Sequence, residues 1–499
     1  MTFSIRRNNR IVPPIICFFT ICLLWWFVDP TARQQLAQQQ HGDTAQSPIK
    51  PVYVAEKARP DSRLTKSGPG INGGYGTKAE TGTKAEPGTS ANLTQDDILL
   101  ILKTGATVLW RRLPIHLSTT LAPERINPQN TVIYADIEAK IGPHRIVDVL
   151  DGLPKSAHGS PSFEAYREAR DWQASNYYLE QAGLPGDVGA GEGPPGGWRL
   201  DKYKFLPLMQ RAGRDWPRAK WYIYTEDDTY LFLPNVLRYL SAYDHRDPHW
   251  LGGLGEMLGV TFAHGGSGFA LSRGAWERSF GNKAGEDLVA KYHAFVEESS
   301  FGDYALGKVL NDFGVHLGDP KTNDRKEGGA WGFNGLPHWR HEFTQENWCK
   351  PVLSWHHAHS RDIAMYYELE KSWNFEEKSL TYGDFYKLAI APSLSRRKAW
   401  WDNQSGRYHL TPQSVLTVER PKDASDSSLW SHSWKSDKDC EAACTGWRSC
   451  VQWYYYQYEC KLDDRIWLGH GYPESMRYRK EKLESVSGWL ADRVAAWTC

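Results

Sequence analysis

The chain has 499 residues, with 59 Lys and Arg balancing 59 Asp and Glu, so it carries no net formal charge. That balance argues against a polyanion-binding role, and no nucleic-acid partner is expected. The length allows about two or three domains.

From the amino terminus, residues 1–10 form a short tail made basic by Arg6, Arg7 and Arg10. Residues 11–28 are uncharged and approach the roughly 17 to 25 residues that a bilayer span needs, with the basic flank on the cytoplasmic side. Pro13 and Pro14 fall in the first turn, where a missing amide donor costs little. Phe27-Val28-Asp29-Pro30 lacks the small residues of a cleavage site, and residues 29–95 are too polar to cover a core helix. The expectation is a single-pass type II anchor with a lumenal body. The short span suits the thinner membranes of the early secretory pathway.

Residues 29–95 are rich in Gln, Gly, Pro, Thr and Lys, and repeat Gly-Thr-Lys-Ala-Glu at 76–80 and 82–86. They bury too little apolar surface to offset their ordering entropy and read as a flexible stalk. Asn92-Leu93-Thr94 and Asn403-Gln404-Ser405 are N-glycosylation triplets for a lumenal chain.

Folded sequence begins at Asp97–Lys103, whose continuous apolar run has the length of a buried strand. Asn130–Asp136 and Trp221–Glu226 repeat the pattern, each ending in an acid. Phe163–Gln181 and Leu200–Gly213 have helical spacing, and 182–197 is a Gly and Pro-rich loop. Alternating strands and helices predict an α/β fold with a mainly parallel sheet, and ligands then sit beyond the carboxyl ends of the strands. Asp136 is thereby a candidate donor-binding residue.

Glu226, Asp227 and Asp228 stand side by side at the end of an apolar run and lead into Thr229-Tyr230-Leu231. Adjacent carboxylates repel, so this placement points to a divalent cation that neutralises them. Hard oxygen ligands without a nearby Cys favour Mn or Mg over Zn, and such a cation bridges a diphosphate. The competing account, a solvated acidic turn, fits poorly with the apolar flanks.

Gly265, Gly266 and Gly268 stand where backbone must approach closely, although an ordinary tight turn needs them too. Asp303 opens a helical segment, where capping is the default role. His356 and His357 end an apolar segment; they can complete a metal site or simply face solvent. Lys202 and Lys204 can neutralise a diphosphate or remain solvated. The chain has 23 Trp, which suggests sugar-stacking platforms as well as core, and no single one stands out.

In their order, Trp221–Tyr230, Gly265–Ser272, Asp303–Gly307 and Ser354-Trp355-His356 resemble the Fringe and T-synthase type of β-1,3-glycosyltransferases, especially fungal relatives. The resemblance implies a GT-A type nucleotide-sugar transferase domain at 96–400. It implies Asp228 as the principal Mn ligand with Asp227 beside it, His356 as the protein's other ligand, and Glu226 facing the nucleotide. Asp303 corresponds to the general base, and Gly265, Gly266 and Gly268 shape the donor pocket. Trp373 and Met365–Glu370 also echo the family. Glu226 replaces the usual first Asp, Ser267 stands where Ala is common, and 96–348 contains no Cys.

The implied reaction is inverting transfer of a hexose or N-acetylhexosamine from a UDP-sugar to a hydroxyl of a glycan or glycoprotein, forming a β-1,3 linkage in the Golgi. A hydrolase using the same acids is disfavoured by the anchor and stalk. The alternative is a non-catalytic lumenal carbohydrate-binding or adhesion protein.

Residues 401–499 contain Cys440, Cys444, Cys450 and Cys460. Four Cys allow three connectivities, and the spacing lacks the paired Cys-x-x-Cys of a zinc site. The segment is similar to PAN or apple modules, small disulfide-rich α+β units. That likeness implies pairing Cys440 with Cys460 and Cys444 with Cys450, with Cys349 and Cys499 left for a third bridge. A stapled cap on the catalytic domain is the plainer role.

Overall fold

The computed structural model describes residues 93–175, 196–282, 286–318, 332–425, 427–477 and 484–499. These belong to the compact unit Ala85–Cys499. The expected tail, the anchor at 11–28, the stalk up to residue 92, Asn92 and nearly all of the loop at 182–197 lie outside the described residues. Among the described residues, no helix is long and apolar enough to cross a membrane.

A seven-stranded sheet forms the centre. It comprises β1 (Ile98–Lys103), β2 (Thr131–Ala135), β3 (Ala139–Ile141), β4 (His144–Asp148), β5 (Trp221–Glu226), β7 (Trp250–Gly252) and β10 (Phe269–Ser272), in the order β3-β4-β2-β1-β5-β10-β7. Strands β4, β2, β1 and β5 run parallel, while β3 pairs antiparallel with β4 and β10 antiparallel with β5 and β7. The mainly parallel expectation therefore holds at the centre, with antiparallel strands towards the edges.

Alternation along β1 explains its unbroken apolar run. Leu99 and Ile101 enter one core with Phe205, Leu206 and Met209, while Ile98, Leu100 and Leu102 enter another with Leu109 and Leu113. The helices behind these cores are α1 (Leu109–Ser118), α2 (Glu164–Ala174), α3 (Asp201–Asp215) and α4 (Gly302–Asp312). The chain runs from β1 to β2 and β4 on one side, then returns to place β5 on the other. The carboxyl ends of β1 and β5 thus flank a topological switch point, where α/β sheets open a ligand crevice.

A small second sheet decides the site. It pairs β6 (Tyr230–Leu231) with β12 (Ser354–Trp355), and β12 with β11 (Phe333–Asn334). A hairpin of β8 (Leu254–Met257) and β9 (Val260–Ala263) stands apart from it. Helix α5 (Ser360–Ser372) comes directly after β12.

The carboxyl-terminal part forms a five-stranded sheet from β13 (Lys398–Ala399), β15 (Tyr408–Leu410), β16 (Gln452–Tyr456), β17 (Glu459–Asp463) and β19 (Val486–Trp489), flanked by α6 (Asp437–Gly446). Strand β14 (Trp401–Asp402) pairs separately with β18 (His470–Gly471). Since β13 already pairs with β19, this sheet starts upstream of residue 401. Cys440 bonds Cys460, Cys444 bonds Cys450, and Cys349 bonds Cys499. Val451, Ile466, Trp489 and Trp497 share a core with Trp348, Trp355 and Phe385, so this part is packed on the α/β domain rather than tethered to it.

One expectation is corrected here. Asn403 has no exposed surface, its amide donates to the Trp453 carbonyl at 3.0 Å, and its Oδ1 accepts from Ser405. A folded chain has no room for a glycan there, although Asn403-Gln404-Ser405 reads as an acceptor.

Candidate active site

The acids at the end of β5 face different ways. Tyr230 pairs with Trp355 and Leu231 with Ser354, and the Ala358 amide donates to the Asp228 carbonyl at 2.8 Å. This ladder sets His356 beside Asp228. Nε2 of His356 lies 3.4 Å from Oδ1 of Asp228, and Nδ1 of His357 lies 3.8 Å from Oδ2. Asp228, His356 and His357 together offer ligand atoms within 4.8 Å of one another. His357, which the resemblance leaves out of the ligand set, joins this group through a left-handed backbone turn with φ of 52°.

Asp227 does not join them. Its Oδ2 accepts from the Thr104 hydroxyl at 2.6 Å and its Oδ1 from Arg112 at 3.0 Å, with the side chain buried. Arg112 also reaches Oδ2 of Asp228 at 3.1 Å. Both oxygens of Asp227, in the turn that follows β5, are thus taken up within the protein.

The glycine turn closes over the histidine. Thr229 Oγ1 donates to the Gly266 carbonyl and Ser354 Oγ to the Ser267 carbonyl, each at 2.6 Å. A Cβ on Gly266 would come within 2.1 Å of His356 Cε1, so only glycine admits the imidazole. A Cβ on Gly265 would meet Phe205 and Glu226, and Gly268 has a φ of 75°. Asp303 ties this turn to α4 by accepting the Gly265 amide at 2.8 Å.

A cleft of about 280 Å³ lies between these elements, lined by Glu226, His264, Gly266, Asp303 and His356. Glu226 is anchored by Tyr224 at 2.9 Å and by Lys103 at 3.0 Å. Lys202 also lines the cleft, but its ammonium donates to the Glu297 and Ser299 carbonyls. Lys204 is buried against Asp136 at 3.4 Å and the Thr104 carbonyl at 3.0 Å, and Asp136 also accepts the Ala106 amide at 2.7 Å. Neither Lys204 nor Asp136 lines this cleft; both support the loop after β1.

Electrostatics separate Asp228 from Asp303. Burial opposes ionisation of Asp228, but His356, His357 and Arg112 outweigh it and hold the carboxyl well below its ordinary range. Burial raises Asp303 above the ordinary 3.8, with the Gly265 amide acting against it. One group is suited to hold a cation and the other to accept a proton.

The residues at 228 and 356 fit a divalent cation. Oδ1 of Asp228 is buried without a hydrogen-bond partner, facing an imidazole nitrogen. A buried carboxylate oxygen without a hydrogen bond is costly unless a cation completes it.

Several site residues are absent from the sequence-based expectation. Lys103 ends β1 opposite Glu226 in register, a basic residue at a strand's carboxyl end that was readable as such. Arg112, Thr104 and His264 carry no local signal.

With this geometry in view, residues 93–319 match the family described as Fringe-like. This stretch of the chain is similar to the Fringe-like family. The match contains Glu226–Asp228, Gly265–Gly268 and Asp303, ends before His356, and supports a glycosyltransferase.

Proposed function

We propose that the protein is an inverting, Mn-dependent glycosyltransferase that moves a hexose or N-acetylhexosamine from a UDP-sugar to a hydroxyl of a glycan or glycoprotein, forming a β-1,3 linkage. Mg is the alternative ion. The single observation that carries this reading is the unpartnered, buried Oδ1 of Asp228 facing His356 beside a cleft that also holds Asp303. In the same proposal the chain is a type II Golgi membrane protein anchored by residues 11–28, with its catalytic domain in the lumen and a PAN-like module at its carboxyl terminus.

Asp228 and His356 would hold the cation, with His357 at the exposed edge of the group. A bound cation supplies positive charge that stabilises the departing diphosphate. Glu226, fixed by Lys103 and Tyr224, shares the cleft wall with His356 and Asp303 and would orient the donor. Asp303 accepts the acceptor's hydroxyl proton as that oxygen bonds the anomeric carbon and the carbon–oxygen bond to the diphosphate breaks. The Gly265 amide keeps the Asp303 carboxylate oriented.

The test is turnover of a UDP-sugar panel by the purified full-length chain with and without Mn. Release of UDP that depends on Mn and is lost in Asp228→Asn supports the reading. Equal turnover in chelator, or in the variant, defeats it.

A further inference from the structure

The two imidazoles that line the cleft, His264 and His356, are held in opposite proton arrangements. The Ser267 amide donates to Nδ1 of His264 at 3.2 Å. A ring nitrogen that accepts carries no proton, so the ring proton of His264 sits on Nε2. Nδ1 of His356 lies 3.3 Å from the Gly335 carbonyl. A carbonyl only accepts, so here Nδ1 carries the proton and Nε2 offers its lone pair beside Asp228. One histidine is suited to hold a cation and the other to donate a hydrogen bond.

His264 is fixed on several sides. Its backbone amide donates to the Gly253 carbonyl at 2.7 Å, and a Cβ on Gly335 would lie 3.5 Å from Nδ1. The His264 ring centroid stands 5.4 Å from that of His356. The next residue, Gly265, gives its amide to Asp303 at 2.8 Å. Among the described residues, Nε2 of His264 has no hydrogen-bond or ion-pair partner. The cap that His264 gives the turn Gly265–Ser267 uses Nδ1 alone, and an Asn would supply it as well. The second ring nitrogen therefore exceeds what the turn needs.

We propose that His264 is a donor-sugar recognition residue, whose Nε2–H donates a hydrogen bond to a ring hydroxyl of the hexose or N-acetylhexosamine in the UDP-sugar. This rests on the glycosyltransferase reading above and adds a residue to its donor site. In that reading the cation group takes the diphosphate and Asp303 takes the acceptor's attacking hydroxyl. The transferred sugar spans from one to the other, and His264 adjoins both: its ring meets His356 and its chain neighbour binds Asp303. Ionised Glu226 and Asp303 can only accept from sugar hydroxyls, whereas His264 supplies the complementary N–H in the same wall. A site that hydrogen-bonds a hydroxyl rejects the analogue lacking it, so His264 selects among donor sugars.

The experiment uses the full-length chain with Mn and whichever of UDP-glucose, UDP-galactose, UDP-N-acetylglucosamine and UDP-N-acetylgalactosamine releases UDP fastest. His264→Asn keeps an acceptor for the Ser267 amide and removes Nε2. It should lower kcat/KM for that donor about tenfold, as expected for one lost hydrogen bond. The inhibition constant of UDP, which lacks the sugar, and the Mn-induced thermal shift should both stay at their wild-type values. Monodeoxy forms of the same donor locate the contact. Removal of one particular hydroxyl should cost wild type about tenfold and cost His264→Asn little more.

An unchanged kcat/KM in the variant overturns the proposal, as do equal penalties for every monodeoxy donor in both proteins. A UDP inhibition constant that rises in step with the loss assigns His264 to the diphosphate and also overturns it. Loss of the Mn-induced shift in His264→Asn shows that the residue acts by holding the metal group, with the same consequence. Absence of Mn-dependent UDP release in wild type instead removes the transferase reading, and the sugar contact with it.

Discussion

Nε2 of His356 stands 3.4 Å from Oδ1 of Asp228, a buried oxygen without a hydrogen-bond partner, while the adjacent Asp227 has both of its oxygens taken by Thr104 and Arg112. Neighbouring acids thus have opposite surroundings. Asp228→Asn should abolish Mn-dependent turnover and Mn-induced thermal stabilisation. Asp227→Asn should instead destabilise the fold by about 1–3 kcal/mol, because it weakens a buried charge-assisted network. Denaturant melts with and without Mn check both. Equal behaviour of the two variants would falsify the division of roles.

Gly266→Ala places a methyl 2.1 Å from the His356 ring, and the ring must move. Activity and Mn affinity should fall at least about tenfold, as expected when a ligating side chain is displaced. Mn titration followed by thermal shift is the direct measurement. Unchanged affinity would mean that the turn yields without disturbing the imidazole.

For Asp303, burial is the leading cause of a raised pKa. The ionised form is the base, so turnover should rise with pH through that raised value and be lost below it. The acid limb of kcat/KM therefore lies above the ordinary carboxylate range. Asp303→Asn should lower transfer by about 10²–10⁴-fold and keep Mn-induced stabilisation. An acid limb that persists in Asp303→Asn would assign it to another group.

His116, His338 and His341 are held neutral by burial. His116 and His338 are each lowered to about 4, and His341, stacked on Tyr382, to about 3. The unfolded chain protonates them near 6.5, so it binds more protons than the native state below that pH. Their contribution is complete above pH 6.5 and declines as pH falls, by about 1.4 kcal/mol per unit for each histidine. In metal-free protein His356 works in the opposite sense: burial lowers its pKa, but Asp228 raises it more, offsetting part of the decline. Denaturation midpoints between pH 6.5 and 5 should fall, and more gently in His341→Phe. A flat profile would show that these imidazoles charge in the native state.

The bond between Cys349 and Cys499 closes a span of 150 residues and fixes the carboxyl terminus where Trp497 packs on Trp348 at 5.1 Å. Cys499→Ser should cost about 2–5 kcal/mol. Melting under oxidising conditions against wild type measures it, and an unchanged midpoint would mean that the shared core alone holds the terminus.

Local order made much of this protein readable from its residues. Strands β1, β2 and β5, the helices beginning near Asp201 and Gly302, and an acid run at a sheet edge all arise from apolar periodicity and from the cost of crowding carboxylates. Those signals act over a few residues, so the residues themselves dictate them. Which acid meets His356 is settled only when the chain folds, because it depends on β6 pairing with a strand far along the chain. The same holds for Lys204 and Asp136, which read as ligand contacts and are buried against each other, and for Asn403, an acceptor triplet enclosed by the carboxyl-terminal sheet. A side chain's partner is set by which surfaces come together when the cores close, and no spacing along the chain encodes that choice.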